Sequence, residues 1–167
     1  KDTIFAPPQA LSGESGEQLQ GIARVDGGKR IIMLLDPREI ISREELQDIS
    51  SLENGEAGTG EEETLLDETD EEQMVVFRLA GEQYGVRITQ VQEINRLAKI
   101  TKVPRAPRFV EGVINLRGDV IPVIDLRKRF EIESKDYNEF TRVIVSDINK
   151  KKIGIIVDEV LEVLRIS

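Results

Sequence analysis

Gly21 to Asp36 reads GIARVDGGKRIIMLLD, and Gly112 to Asp125 reads GVINLRGDVIPVID. Each stretch opens on a glycine, alternates as a strand, turns on a glycine six residues on, returns as an apolar strand and closes on an aspartate. The chain therefore uses one supersecondary unit twice. Two similar small β-barrels packed together would explain the repeat, because each sheet then closes on itself and leaves no exposed edge.

The rest of the pattern agrees with strands. Met74 to Ala80 alternates imperfectly and turns at Gly81-Glu82, and Val110 to Leu116 and Val120 to Leu126 predict a hairpin around Arg117-Gly118-Asp119. Arg142 to Asp147 and Lys152 to Val157 predict a second hairpin around Asn149-Lys150, and Val157 to Ile166 is again apolar at alternate positions. Ile88, Val91 and Ile94 repeat at three-residue spacing and predict one helical turn. Pro104 to Pro107 excludes ladder pairing and predicts a bend. Near the start, a hairpin around Asp26-Gly27-Gly28 leads into a helix with Asp36 as N-cap, Pro37 at its first position and Glu39 in its first turn.

Charge divides the chain. Glu44 to Glu72 holds 13 acidic residues and no basic one, whereas the remainder has 19 acidic and 23 basic residues, so the net −9 belongs to this segment and the rest is +4. Few apolar residues interrupt it, too few to offset the entropy of ordering, so residues 48–73 read as a flexible linker. The functional alternative is an acidic arm that mimics nucleic acid or docks a basic partner. Lys1 to Gln47 is too small to be a domain alone and needs the tail, or another molecule, to cover its inner face.

Composition removes most chemistry. There is no His and no Cys, so thiolate or imidazole metal sites, histidine-driven nucleophiles and disulfides lack their side chains. Asp119 and Asp125 sit at opposite ends of one strand, about 20 Å apart, too far to share a reacting atom. No catalytic, cofactor or metal residue is indicated, and no cofactor. Gly27-Gly28 and Gly58 with Gly60 lack the partners of a phosphate loop. The apolar runs are far shorter than the roughly 20 residues of a membrane span, so the chain reads as soluble, with no direct membrane insertion. A small-barrel nucleic-acid module draws on Lys150-Lys151-Lys152 and Arg127-Lys128-Arg129, but only seven aromatics are available for stacking, which argues against nucleic acid.

The runs EQYGVRITQVQEI (Glu82 to Ile94), FVEGVINLRGDVIPVIDLRKRF (Phe109 to Phe130) and KKIGIIVDEVLEVLRI (Lys151 to Ile166) resemble the CheW family of chemotaxis coupling proteins. The resemblance implies a mainly all-β fold of two SH3-like five-stranded barrels with short helices, here with the chain order permuted. Residues 1–47 look like the closing part of such a domain, with its second-barrel hairpin and terminal helix. Residues 74–167 look like its first barrel and the start of its second. Either a fragment of tandem repeats, which Lys1 in place of Met fits, or a circular permutation explains the order. About 26 intervening residues reach about 25 to 30 Å as a coil. The head then folds back to complete a second barrel with Val143 to Ile166, or a neighbouring chain does so, giving a domain-swapped homo-oligomer.

What the resemblance implies in function is non-catalytic, cytoplasmic coupling. The family binds the CheW-like regulatory domain of the CheA histidine kinase and the cytoplasmic tip of chemoreceptors. An alternative is the regulatory end of a CheA kinase or a CheV adaptor. Arg117 and Gly118 stand at the N-L-R-G motif and Glu93 at the acidic place of V-Q-E-I, and the resemblance implies that Arg117 and Glu93 approach each other beside the receptor groove. Val91 and Ile94 would line that groove, with core packing as the alternative for both. Ala10 and Leu11 fall at a second-barrel contact with the kinase ring.

Overall fold

The computed structural model describes residues 3–5, 19–41, 45, 47, 72–133, 135–148 and 150–166. Among them are the strands β1 (Thr3–Phe5), β2 (Leu19–Val25), β3 (Arg30–Leu35), β4 (Glu72–Leu79), β5 (Glu82–Arg87), β6 (Glu93–Arg96), β7 (Val110–Leu116), β8 (Asp119–Asp125), β9 (Arg142–Ile148), β10 (Lys151–Val157) and β11 (Glu159–Ile166). Two short helices accompany them, α1 (Pro37–Ile40) and α2 (Leu126–Arg129). The strands form a six-stranded sheet in the order β1-β2-β3-β5-β4-β11 and a five-stranded sheet in the order β6-β9-β10-β8-β7. The expected two-sheet, mainly β architecture is present, with β1 adding a sixth strand at one edge.

The repeated unit folds the same way in both sheets. β2 and β3 form a hairpin with a bulge between Leu19 and Gly21, and β7 and β8 form one with a bulge between Val110 and Gly112. Each then enters a helix capped by its closing aspartate: Asp36 accepts from the Arg38 N–H, and Asp125 from the Arg127 N–H, both at 2.9 Å. β3 runs parallel to β5 with Leu34 opposite Gly85, and β8 runs parallel to β10 with Val123 opposite Gly154. β4 and β9 follow as antiparallel neighbours, placing Val76 opposite Gly85 and Val145 opposite Gly154.

β4, β8, β9 and β10 are buried on both faces over much of their length, so they read as continuous apolar runs rather than alternating ones. Ala23, Val25, Ile32, Leu34, Met74 and Val76 fill the inside of the first sheet. Ile114, Ile121, Val123, Val143, Val145 and Ile156 fill the second. The alternate residues of the same strands, among them Phe77, Leu79, Ile124, Ile144 and Ile155, meet in a third cluster that joins the two sheets. Phe77 and Tyr84 stack there with centroids 5.8 Å apart, and Tyr84 reaches Phe130 at the same distance.

Two expectations are corrected. The head pairs through β3 with β5 and shares a sheet with β4, β5 and β11, not with the Val143 to Val157 hairpin, which lies in the other sheet. The reason is symmetry: β9 and β10 already receive their own copy of the repeated unit, β7-β8. Ile88 to Ile94 is not a helical turn; a 3₁₀ turn covers Ile88–Gln90, and Glu93 and Ile94 belong to β6. β6 pairs with β9 from Glu93 opposite Val145 to Arg96 opposite Arg142, and that ladder outweighs local spacing.

The head is fastened by side chains as well. Arg129 on α2 donates to the Ile40 carbonyl and, with both terminal nitrogens, to the Glu45 carboxylate at 2.7 and 2.8 Å. The Gln90 amide donates to Asp36 at 3.0 Å, and Arg30 donates to Gln83. Burial pushes the Asp36 carboxyl up; the Arg38 hydrogen bonds and charge, with the Gln90 bond, outweigh it and hold the group below the usual carboxylate range.

Candidate functional site

The β7–β8 hairpin turns on two residues, Arg117 and Gly118, both at positive φ (55° and 90°). That is the requirement of a two-residue turn whose twist matches its strands, and it explains why Gly118 follows the arginine. The Asn115 side chain accepts from the Gly118 N–H at 2.9 Å and fixes the turn. So held, the Arg117 side chain is 73 % exposed, and its guanidinium pairs with the Glu93 carboxylate on β6.

β6 and the β7–β8 hairpin are not neighbours in the sheet, since β9 and β10 lie between them. The ion pair therefore spans a seam that the curled sheet brings together. Asn95, two residues along β6, donates to the same Glu93 oxygen at 2.9 Å and helps hold it in place. Ile94 is 37 % exposed on the same strand, and Val120, 55 % exposed, follows the hairpin turn.

Arg117, Gly118, Glu93 and Ile94 thus gather at one rim of the second sheet. Val91 does not join them: it packs against the cluster between the sheets, the core alternative. Ala10 and Leu11 lie outside the described residues. Sequence reading missed Asn95 and Asn115, although the asparagine in N-L-R-G was the available signal, since short side-chain amides stabilise turns through local backbone bonds.

A second polar cluster lies around Asp125. The Tyr137 hydroxyl donates to Asp125 at 2.8 Å, with Glu111 a second acceptor 3.2 Å away, and Lys128 pairs with Glu111 at 2.7 Å. Arg127 grips Asp158 with two bonds of 2.9 and 2.7 Å, and Asp158 accepts from the Ala80 N–H. Burial raises the Asp158 carboxyl, but the Arg127 bonds and charge and the Ala80 N–H outweigh it and hold the group low. Every donor here meets an acceptor within the fold, so the cluster ties α2 and the residue 135–141 loop to the β10–β11 junction. Asp119 lies exposed at the far end of β8 from Asp125. Among the described residues, no group of three acidic side chains is arranged to hold a metal ion, and no helix is long and apolar enough to cross a membrane.

Known proteins share this architecture. The chain is 39 % identical over 111 residues to the chemotaxis protein CheW of Klebsiella aerogenes, covering 66 % of this chain and 67 % of that protein. It is 41 % identical over 95 residues to the chemotaxis protein CheW of Bacillus subtilis, covering 57 % of this chain and 61 % of the relative. The crystal structure of a scaffolding protein, TtCheW, from Thermoanaerobacter tengcongensis superposes with a TM-score of 0.55 at 48 % identity, over 57 % of this chain and 66 % of the other. The chain thus spans about three-fifths to two-thirds of the length of these relatives. The CheW-like domain matches residues 73–167, more than half of the sequence, and the chain belongs to that family.

Proposed function

We propose that this chain is a non-catalytic scaffold that couples chemoreceptors to the CheA histidine kinase by protein–protein binding. What carries this reading is the rim at Arg117: a mostly exposed guanidinium paired with Glu93, with exposed apolar side chains at Val120 after the hairpin turn and at Ile94 on β6. A preset cation beside apolar surface suits an amphipathic helix, with the apolar stripe supplying contact area and the charge setting register. The relatives' names, a chemotaxis protein and a scaffolding protein, support the same role. Arg117, Glu93, Ile94 and Gly118 form the receptor and kinase contact in this reading, and Ala10 and Leu11 the contact with the kinase ring. The partners are the CheW-like regulatory domain of CheA and the cytoplasmic tip of a receptor, which places the protein in the cytoplasm. Nucleic acid is not a partner.

The head, residues 1–47, is the closing part of a CheW-like domain, supplied ahead of the acidic segment rather than after β11. The match between β2-β3-α1 and β7-β8-α2 supports this, because each sheet needs one such unit. A head that instead seats on a second copy gives a domain-swapped oligomer, which light scattering on the purified chain separates from the monomer.

The role is tested by co-sedimentation of the purified chain with a CheA regulatory domain and a soluble receptor-tip fragment. Saturable, one-to-one capture of both is the expected result. Capture of neither refutes the coupling role.

A further inference from the structure

Residues 96–110 read RLA KIT KVP RAP RFV, five triplets that each pair a basic residue with an apolar one. The chain from β6 to β7 keeps that order in space. Leu97 and Ile100 pack against the core of the second sheet, and Ala106 and Phe109 against the cluster between the sheets. Arg96, Lys99, Lys102, Arg105 and Arg108 are all exposed.

The strip is pinned rather than loose. Thr101 and Val113 exchange backbone hydrogen bonds of 2.8 and 2.9 Å. That approach is possible because residue 112 is glycine: a Cβ there would meet the Thr101 carbonyl oxygen at 2.4 Å. Arg105, at φ 64°, turns the chain beside Pro104, the bend expected from the prolines.

These five cations differ from those that anchor the fold. Arg30, Arg78, Arg117, Arg127, Lys128 and Arg129 each reach a carboxylate. Among the described residues, none of the five strip cations has an ion pair or a side-chain hydrogen bond, and no acidic residue occurs between Glu93 and Glu111. Arg96 even sits opposite Arg142 in the β6–β9 ladder, a like-charge pairing that costs stability without a counter-charge. Beside them, Leu97 and the 51 % exposed Phe140 line an open groove of about 330 Å³, with Arg96 and Arg142 against a single carboxylate, Glu139, in its wall.

We propose that this basic strip is the docking site for the chain's own acidic segment, seated through Glu61 to Glu71. That stretch reads EEETLLDETDE, with carboxylates on both sides of Leu65-Leu66. The carboxylates answer the five unpaired cations, and the leucine pair answers the groove at Leu97 and Phe140. Reach is no obstacle: Leu66 is six residues from the start of β4 at Glu72, about 20 Å of extended chain, against a radius of gyration of about 15 Å for a domain of this size. A nucleic-acid strand fits less well, because single-strand platforms stack successive bases on several exposed aromatics, whereas among the described residues Phe140 is the exposed aromatic beside the strip and Phe109 is partly buried with the Arg129 guanidinium 5.6 Å over one face.

The natural absence of cysteine allows a clean test on the full chain: a nitroxide label on Thr64→Cys, read through the amide NMR signals of every residue. The account expects signals from residues 96–108 and 138–142 to weaken roughly two-fold or more at low salt and to recover at about 1 M salt, where screening falls to about 3 Å. The triple variant Lys99→Glu, Lys102→Glu, Arg105→Glu should abolish the effect with the remaining spectrum unchanged. Weakening centred on Lys150 to Lys152, uniform weakening, or weakening that appears only when labelled and unlabelled chains are mixed would each overturn the proposal. So would strip-dependent binding to anionic vesicles that leaves the label's pattern unchanged.

Discussion

Glu93 on β6 and Glu162 on β11 occupy the same place in the two sheets. Each lies across from a valine of the neighbouring strand, Val145 and Val76, and each pairs with an arginine near a hairpin two strands further on, Arg117 and Arg30. The curl of each sheet is thus closed by one glutamate–arginine bridge. Both bridges are partly exposed, so each contributes about 0 to 1 kcal/mol. Glu162→Gln and Glu93→Gln should lower stability in denaturant by similarly small amounts, while only Glu93→Gln weakens capture of the kinase regulatory domain. Equal loss of capture from both variants would assign the Glu93 bridge to sheet closure alone.

Gly85 and Gly154 are equivalent too, but packed to different tightness. A Cβ on Gly154 would sit 2.7 Å from Val143 Cγ1 and 2.8 Å from Val123 Cγ1, whereas one on Gly85 would meet Ile32 Cγ2 at 3.1 Å. Overpacking of this kind costs about 1 to 3 kcal/mol. Gly154→Ala should fall at the upper end and Gly85→Ala near or below the lower end, as measured by urea unfolding.

Tyr84 and Tyr137 are the only tyrosines, and the phenol of each is pushed up, first by burial and then by a neighbouring carboxylate, Glu82 for Tyr84 and Asp125 for Tyr137. A raised folded pKa contributes stability that is fully present below the unfolded value, about 10, and is lost as pH rises. Phenolate absorbance should therefore show no ionisation near pH 10 in the folded chain and should rise together with loss of fold. Tyr137→Phe should make alkaline unfolding less steep. Ionisation at about pH 10 with the fold intact would contradict the burial of both rings.

At the acid end the sign reverses. Asp158 is held below the usual carboxylate range, so its contribution is present above the unfolded value of about 3.9 and is lost as pH falls through its lowered folded value. Asp158→Asn should cost about 1 to 3 kcal/mol at neutral pH, because Arg127 loses a charged partner. It should also flatten the acid limb of stability against pH measured by circular dichroism.

The repeat was the most legible feature of the sequence: glycine, strand, turn, apolar strand and aspartate did become two matching hairpins with capped helices, though their turns differ in length. Its partner strand was not legible, because β3 and β5 pair in parallel across 46 intervening residues, and local pattern carries no information on which of two similar sheets accepts a hairpin. The three-residue spacing of Ile88, Val91 and Ile94 misled for a related reason, since a short edge strand takes its conformation from the ladder it joins. Arg117 and Glu93 were found through the family motif and did meet, whereas Val91, judged by the same spacing, belongs to the core. The basic triplets from Arg96 to Arg108 are plain in the sequence, but that their cations lack partners follows only from the packed structure.

The coupling role is tested most directly by Arg117→Glu, assayed for binding to a CheA regulatory domain alongside its thermal unfolding. Arg117 is largely exposed and its bridge stabilises little, so the melting temperature should stay within a few degrees of the parent while affinity falls about ten-fold or more. Unchanged affinity, or a loss of binding matched by an equal loss of fold, would contradict the account.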